Sequence, residues 1–302
     1  IIPVNGKMHV TGKSVRSKLA SVRDCQAIVK KSVIKAMNRK YRLSQFPETG
    51  PLYKIEVSLL KDIATITIDT TGQGLHKRGY REEAGEAPLR ENLAAALVLL
   101  SRWNPDRILA DPMCGSGTIP IEAALIGRNI APGIKRSFVS ESWQNIPKQI
   151  WDHVRSEARL KEHKGIFRIL ASDNDERVLK KARENAARAG VSDYIAFQRL
   201  PVERFSSQKK YGCIICNPPY GERLGEPKEV ERLFRSMGEV FSGFDTWSLF
   251  ILNSHPEFEM FFGRKSTKNR KLYNGNIKCY FYEYFGPLPP RKLAISRSGE
   301  EV

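Results

Sequence analysis

Three short stretches of this chain carry residue types that could do chemistry together. The first is Asp111-Pro112-Met113-Cys114-Gly115-Ser116-Gly117-Thr118. It stands between a run that reads as a strand and one that reads as a helix. Gly115 and Gly117 let the backbone come close to a ligand, and Ser116 and Thr118 can hydrogen-bond at the helix start. No Gly-Lys-Ser/Thr follows, and the full spacing of a dinucleotide fingerprint is missing. An acidic residue ahead of the glycines suits the ammonium of a methionine moiety better than a pyrophosphate.

The second stretch is Ala171-Ser172-Asp173-Asn174-Asp175. A carboxylate after the next strand is placed to accept hydrogen bonds from ribose hydroxyls. The competing reading makes an acidic residue here a helix N-cap, a role that Asn174 or Asp175 can fill, which leaves Asp173 for the ribose. The third stretch is Asn217-Pro218-Pro219-Tyr220. Two prolines cannot continue a strand ladder, so the backbone there is rigid. The Asn217 side-chain oxygen and the Pro218 carbonyl can accept both N–H bonds of a base amino group, and Tyr220 can stack on the base. Such a pocket admits only a single-stranded or flipped nucleotide.

These stretches need a scaffold, and the periodicity supplies one. Leu89 to Trp103, Ile119 to Ile126, Glu176 to Ala189 and Val230 to Phe241 read as helices. Arg107 to Ala110, Phe167 to Ala171, Tyr194 to Gln198, Gly212 to Cys216, Trp247 to Leu252 and Lys278 to Phe285 read as strands. This alternation implies a doubly wound, mainly parallel sheet, and each of the three stretches follows a strand. Asn274-Gly275 is a hairpin signal, so the last strand is expected to be antiparallel. Ahead of this region, Ser21 to Asn38 reads as a helix. Tyr53 to Leu60 and Ala64 to Asp69 read as a hairpin turning at Lys61-Asp62.

The chain has 302 residues and a net charge of +17. Residues 1–80 hold 15 Lys+Arg against 5 Asp+Glu, a net of +10. A strongly basic module beside a nearly balanced one suggests a polyanion partner. Lys77, Arg78, Tyr80 and Arg81 form a basic-aromatic cluster suited to phosphate contact and base stacking, or a solvated linker. The basic run Arg264, Lys265, Lys268, Arg270 and Lys271 reads as a solvated loop, or as a lining of the catalytic mouth. Five cysteines at irregular spacing argue against a disulfide framework. Cys213 and Cys216 would point to opposite faces of one strand, and no metal site is expected. Asn92 to Leu100, the longest apolar helix candidate, is too short to span a membrane, and no signal peptide is visible, so a cytoplasmic address is expected. Ile1 stands where an initiating Met would, so the natural chain is expected to begin upstream.

Asp111 to Thr118 followed by Asn217 to Tyr220 resembles motifs I and IV of class I amino-methyltransferases, which use S-adenosyl-L-methionine. Ser21-Val22-Arg23-Asp24-Cys25-Gln26, Ile68-Asp69-Thr70-Thr71-Gly72, Leu75-His76-Lys77-Arg78-Gly79-Tyr80-Arg81 and Ala87-Pro88-Leu89-Arg90-Glu91 resemble the THUMP-domain methyltransferases. Within that group the resemblance runs to the bacterial large-subunit rRNA guanine-N2 enzymes, often labelled N6-adenine-specific DNA methylases, and extends to Gly286-Pro287-Leu288-Pro289-Pro290-Arg291-Lys292.

The resemblance implies an α/β, Rossmann-like methyltransferase with a seven-stranded, mainly parallel sheet, preceded by a partial α+β THUMP module. The expected division is THUMP 1–72, linker 73–90, catalytic domain 91–290 and tail 291–302. Asn217, Pro218, Pro219 and Tyr220 would form the catalytic set. Asp111, Pro112, Met113, Cys114, Gly115, Ser116, Gly117, Thr118, Asp173 and Asn174 would hold the cofactor. Many relatives carry an acidic residue after the third strand to bind the cofactor adenine. Pro201 or Val202 stands there instead, leaving the backbone or Glu203. Lys77, Arg78, Tyr80 and Arg81 would contact RNA, with rRNA ahead of tRNA. Two alternatives remain: an N6-adenine DNA methylase, and a non-catalytic RNA-binding or ribosome-assembly factor.

Overall fold

The computed structural model describes residues 1–81, 89–219 and 227–290. Its elements in chain order are β1 (Lys7–Val15), α1 (Val22–Tyr41), β2 (Leu52–Leu60), β3 (Ile63–Asp69), α2 (Glu91–Leu100), β4 (Leu109–Asp111) and α3 (Thr118–Gly127). Then come α4 (Lys148–Leu160), β5 (Ile169–Asp173), α5 (Glu176–Ala189), β6 (Ile195–Arg199), β7 (Cys213–Cys216) and α6 (Pro227–Ser242). The last are β8 (Ser248–Asn253), α7 (Phe258–Phe262), β9 (Lys268–Asn274) and β10 (Ile277–Tyr284). Among the described residues no helix is long and apolar enough to cross a membrane.

The contacts divide the chain into two units. One holds Ile1–Lys77 and Gly133–Leu160, the other Arg78–Pro132 and the chain from Lys161. In the first, β1 pairs with β2 in parallel and β2 with β3 antiparallel. The β2–β3 turn is the expected Lys61-Asp62, both at positive φ (+51° and +64°), the backbone twist a two-residue hairpin prefers. Ser21 caps α1 by accepting from the Asp24 N–H at 3.3 Å, as its residue type favours. β1 was not visible as a strand: Lys7 to Val15 mixes Lys, His and Gly into its alternation, and its partner lies some 45 residues on.

The segment Gly133–Leu160 carries no boundary signal in the sequence, yet it packs on this small sheet. Trp143 stacks on Tyr53 with centroids 4.6 Å apart, and its indole N–H donates to the Leu52 carbonyl at 3.0 Å. Arg136 donates to the carbonyls of Gln73, Gly74 and Lys77, which fixes the path of the chain through these residues.

The second unit is a three-layer α/β/α sandwich around a seven-stranded sheet of order β6-β5-β4-β7-β8-β10-β9. β4 to β8 are parallel to one another, and β10 runs antiparallel to both its neighbours. The fold matches the expected one, including the antiparallel last strand. One core holds α2, α3 and α5 on one face, and a second holds α6 and α7 on the other. Cys213 belongs to the first core and Cys216 to the second, so their thiols lie on opposite faces. Among the described residues no group of three or more His, Cys, Asp or Glu could hold a metal ion.

β9 corrects the reading of Lys268, Arg270 and Lys271 as loop. It is an edge strand, where lysines discourage pairing with another chain. Arg270 Nε donates to Glu283, which is 1% exposed. Its charges hid the β pattern.

Candidate active site

The strand order reverses at β4, whose neighbours β5 and β7 lie to either side. In an open α/β sheet the cleft for a ligand opens there, at the carboxyl ends of the strands. The second unit has a cleft of about 1120 Å³ at this point. It is lined by Asp111, Pro112, Met113, Cys114, Gly115, Ser116 and Thr118, by Asp173, Asn174 and Glu203, and by Asn217 and Pro219. Three stretches separated by up to about a hundred residues thus meet, because β4, β5 and β7 are adjacent. Tyr220 lies outside the described residues.

The glycine loop is held by its neighbours. Gly115 has φ +53° and open space where a Cβ would stand. Gly117, at φ +81°, does not line the cleft; a Cβ there would stand 3.1 Å from the Ala182 Cβ on α5. It allows the loop to press on that helix. Asn185, also on α5, donates to the Ser116 carbonyl at 3.1 Å. This residue escaped the sequence reading. Its signal was a polar side chain among the apolar positions Leu179, Ala182, Ala186 and Ala189 of one helix.

Asp111 is 1% exposed and accepts from the Met113 N–H at 3.2 Å. Burial pushes its carboxyl well above the usual range; the Met113 hydrogen bond opposes this, and the nearby Asp173 charge adds to it. Asp173 accepts from the Gly115 N–H at 2.9 Å and from the Asp175 N–H at 3.1 Å. Asp175 is the cap of α5, accepting from the Arg177 N–H at 2.8 Å. So the cap role falls to Asp175 and not to Asp173.

Asn217 follows β7. Its Oδ1 is buried and has no hydrogen-bond partner. Buried acceptors are nearly always paired, so an orphan on a residue that lines the cleft points to a missing donor. Pro218 is buried, outside the lining. After β6, Val202 is buried while Glu203 is exposed at the cleft.

Residues 78–283 match the family model described as RMKL-like, methyltransferase domain, and residues 1–69 match the THUMP domain. The chain belongs to the RMKL-like methyltransferase family. Family relatives include the Bacillus subtilis protein named "Putative RNA methyltransferase YpsC", 51% identical over 96% of this chain and 76% of its own. The Vibrio cholerae ribosomal RNA large subunit methyltransferase K/L is 40% identical over 82% of this chain. This chain spans about a third (36%) of that relative's length.

Two solved structures share the RMKL-like fold closely. One is a Listeria monocytogenes protein described as a "predicted N6-adenine-specific DNA methylase". It has a TM-score of 0.89 and is 50% identical over 95% of this chain and 75% of that one. The other is described as "a putative methyltransferase complexed with SAH". It has a TM-score of 0.88 and is 44% identical over 96% and 77%.

In this RMKL-like domain the basic-aromatic cluster does not form the expected RNA surface. Tyr80 is 2% exposed, and its hydroxyl donates to Glu122 Oε1 at 3.1 Å. Arg78 pairs with the same carboxylate at 3.5 Å, and Arg81 with Glu91 at 3.6 Å. Two buried carboxylates, Glu91 and Glu122, draw these side chains inward. Lys77 is exposed.

Proposed function

We propose that this chain transfers a methyl group from S-adenosylmethionine to an exocyclic amino group of an RNA base, namely N2 of a guanine in large-subunit rRNA, in the cytoplasm. The observation that carries this is the buried, partnerless Asn217 Oδ1 in one cleft with Asp111, the glycine loop and Asp173.

The residues present fit the cofactor. Along the sheet from β6 to β7 the cleft offers Glu203, Asp173, Asp111 and Asn217 in that order. Two acidic acceptors and an open space above Gly115 suit a ribose diol and an ammonium. S-adenosylmethionine supplies an electrophilic methyl on a sulfonium that is already a good leaving group. Asp111 pairs with the ammonium and Asp173 accepts from the ribose. Asn217 Oδ1 and the Pro218 carbonyl accept the two amino N–H bonds of the base, which turns its nitrogen lone pair toward the methyl. This is catalysis by positioning and preorganised dipoles.

Support for RNA comes from the THUMP match, from the basic first 80 residues, and from the printed names of the Bacillus and Vibrio relatives. The name of the Listeria structure favours a second reading, N6 of adenine in DNA. Methyl transfer from labelled S-adenosylmethionine separates them. Incorporation into protein-free large-subunit rRNA, recovered as N2-methylguanosine, supports the first. Incorporation into duplex DNA alone supports the second, and incorporation into tRNA alone redirects the substrate.

A further inference from the structure

Arg81 lines the cleft from the side of α3. Its side chain is 10% exposed. Nη2 donates to Thr118 Oγ1, the first residue of α3, and Nη1 donates to the Leu89 carbonyl at 3.4 Å and pairs with Glu91 at 3.6 Å. Nε is buried and has no partner. A nine-tenths-buried guanidinium with an unspent N–H is costly unless that donor meets an acceptor.

The chemistry of the cleft says which acceptor. Glu203 follows β6, Asp173 ends β5 and Asp111 ends β4, so the ligand groups are ordered along the sheet. Thr118 begins the helix that follows the β4 loop, so the bond to it holds Arg81 at the α3 end of that loop. Among the described residues the other cations lining the cleft, Arg177, Lys181 and Arg188, all stand on α5. An amino-acid group has an ammonium and a carboxylate on one carbon. Asp111 and Asp173 would repel the carboxylate, and a buried arginine lining the same cleft offsets that repulsion. We infer that Arg81 binds the carboxylate of the cofactor's methionine moiety through its free Nε–H edge, so that Asp111 and Arg81 together recognise the zwitterion.

This rests on the proposed function, and it moves Arg81 from RNA contact to cofactor recognition. Thr118 and Glu91 act as positioning residues that hold the guanidinium.

The test is calorimetry on the full chain with two ligands. S-adenosylhomocysteine carries the carboxylate; 5′-methylthioadenosine lacks the whole amino-acid part. Arg81→Gln is expected to weaken S-adenosylhomocysteine binding about 10- to 100-fold, as loss of a charge-assisted bond does, and to leave 5′-methylthioadenosine within about twofold. Arg81→Lys should recover part of the loss. Equal weakening of both ligands would make Arg81 a loop support and overturn the inference. Unchanged binding of both would also overturn it, and a concurrent fall in RNA affinity would return Arg81 to RNA.

If the Arg81 variants do not fold, the wild-type protein decides. It should bind S-adenosylhomocysteine more than about tenfold tighter than its decarboxylated analogue, and a preference below about threefold would overturn the inference. Failure of the wild type to bind any of these ligands would instead sink the proposed function.

Discussion

The carboxylate of Asp173, at the end of β5, accepts a hydrogen bond from the backbone N–H of Gly115, in the loop after β4, at 2.9 Å. That bond makes Asp173 a brace for the glycine loop, in addition to its proposed role at the cofactor ribose. Asp175, two residues on, caps α5 and pairs with the Arg177 side chain. Asp173→Ala is therefore expected to weaken S-adenosylhomocysteine binding about tenfold or more. Asp175→Ala should instead cost about 1 kcal/mol of stability and leave that affinity nearly unchanged. Calorimetry with thermal melting of both variants checks the contrast.

Asn217→Ala should lower the methyl-transfer rate by about two to three orders of magnitude, the usual effect of deleting one preorganised polar group, with S-adenosylhomocysteine affinity held within about twofold. It should not lower the melting temperature, because it deletes a buried acceptor that has no partner. Single-turnover kinetics and a melt decide this. A loss of several degrees would mean that the oxygen serves the fold.

Glu122 carries a pH dependence of stability. Burial raises its carboxyl to about 7, against the lowering effects of Arg78 and Tyr80. A group with a raised folded pKa contributes stability that is fully present below its unfolded value, about 4.5. That contribution is lost as the pH rises through about 7. The wild type should thus lose on the order of 3 kcal/mol from this group across that window. Glu122→Gln should flatten that slope. Denaturant melts at several pH values measure it, and an unchanged slope would place the titration elsewhere.

Gly117→Ala should be unfavourable twice. It forces a side chain onto φ +81° and brings its Cβ to 3.1 Å from Ala182. The expected cost is about 1 kcal/mol or more, with weaker S-adenosylhomocysteine binding as the loop lifts from α5. A melt and a titration on one preparation report both.

Much of the catalytic unit was legible in the sequence because local signals agreed. Helices α5 and α6 have clear periodicity, α3 is a largely apolar run buried on nearly all sides, and the motif loops sit directly after apolar strands. What stayed hidden depends on distant partners. β1 pairs with a strand some 45 residues on. β9 is a charged edge that shows as a strand only once Glu283 receives Arg270. Gly133–Leu160 joins the first unit through Trp143 on Tyr53, a contact without local trace. Arg78, Tyr80 and Arg81 looked like surface cations around an aromatic ring. Only the fold shows Glu91 and Glu122 turning them inward. Of the expected catalytic set, Tyr220 lies outside the described residues, as do 82–88 of the linker and the tail 291–302.

The proposed reaction methylates a guanine amino group in large-subunit rRNA. Nucleoside mass spectrometry of rRNA and DNA from cells with the gene, without it, and carrying Asn217→Ala tests it most directly. One N2-methylguanosine should be lost from large-subunit rRNA in both the deletion and the Asn217→Ala strain, with DNA unchanged. Loss of N6-methyladenine from DNA with intact rRNA would contradict it.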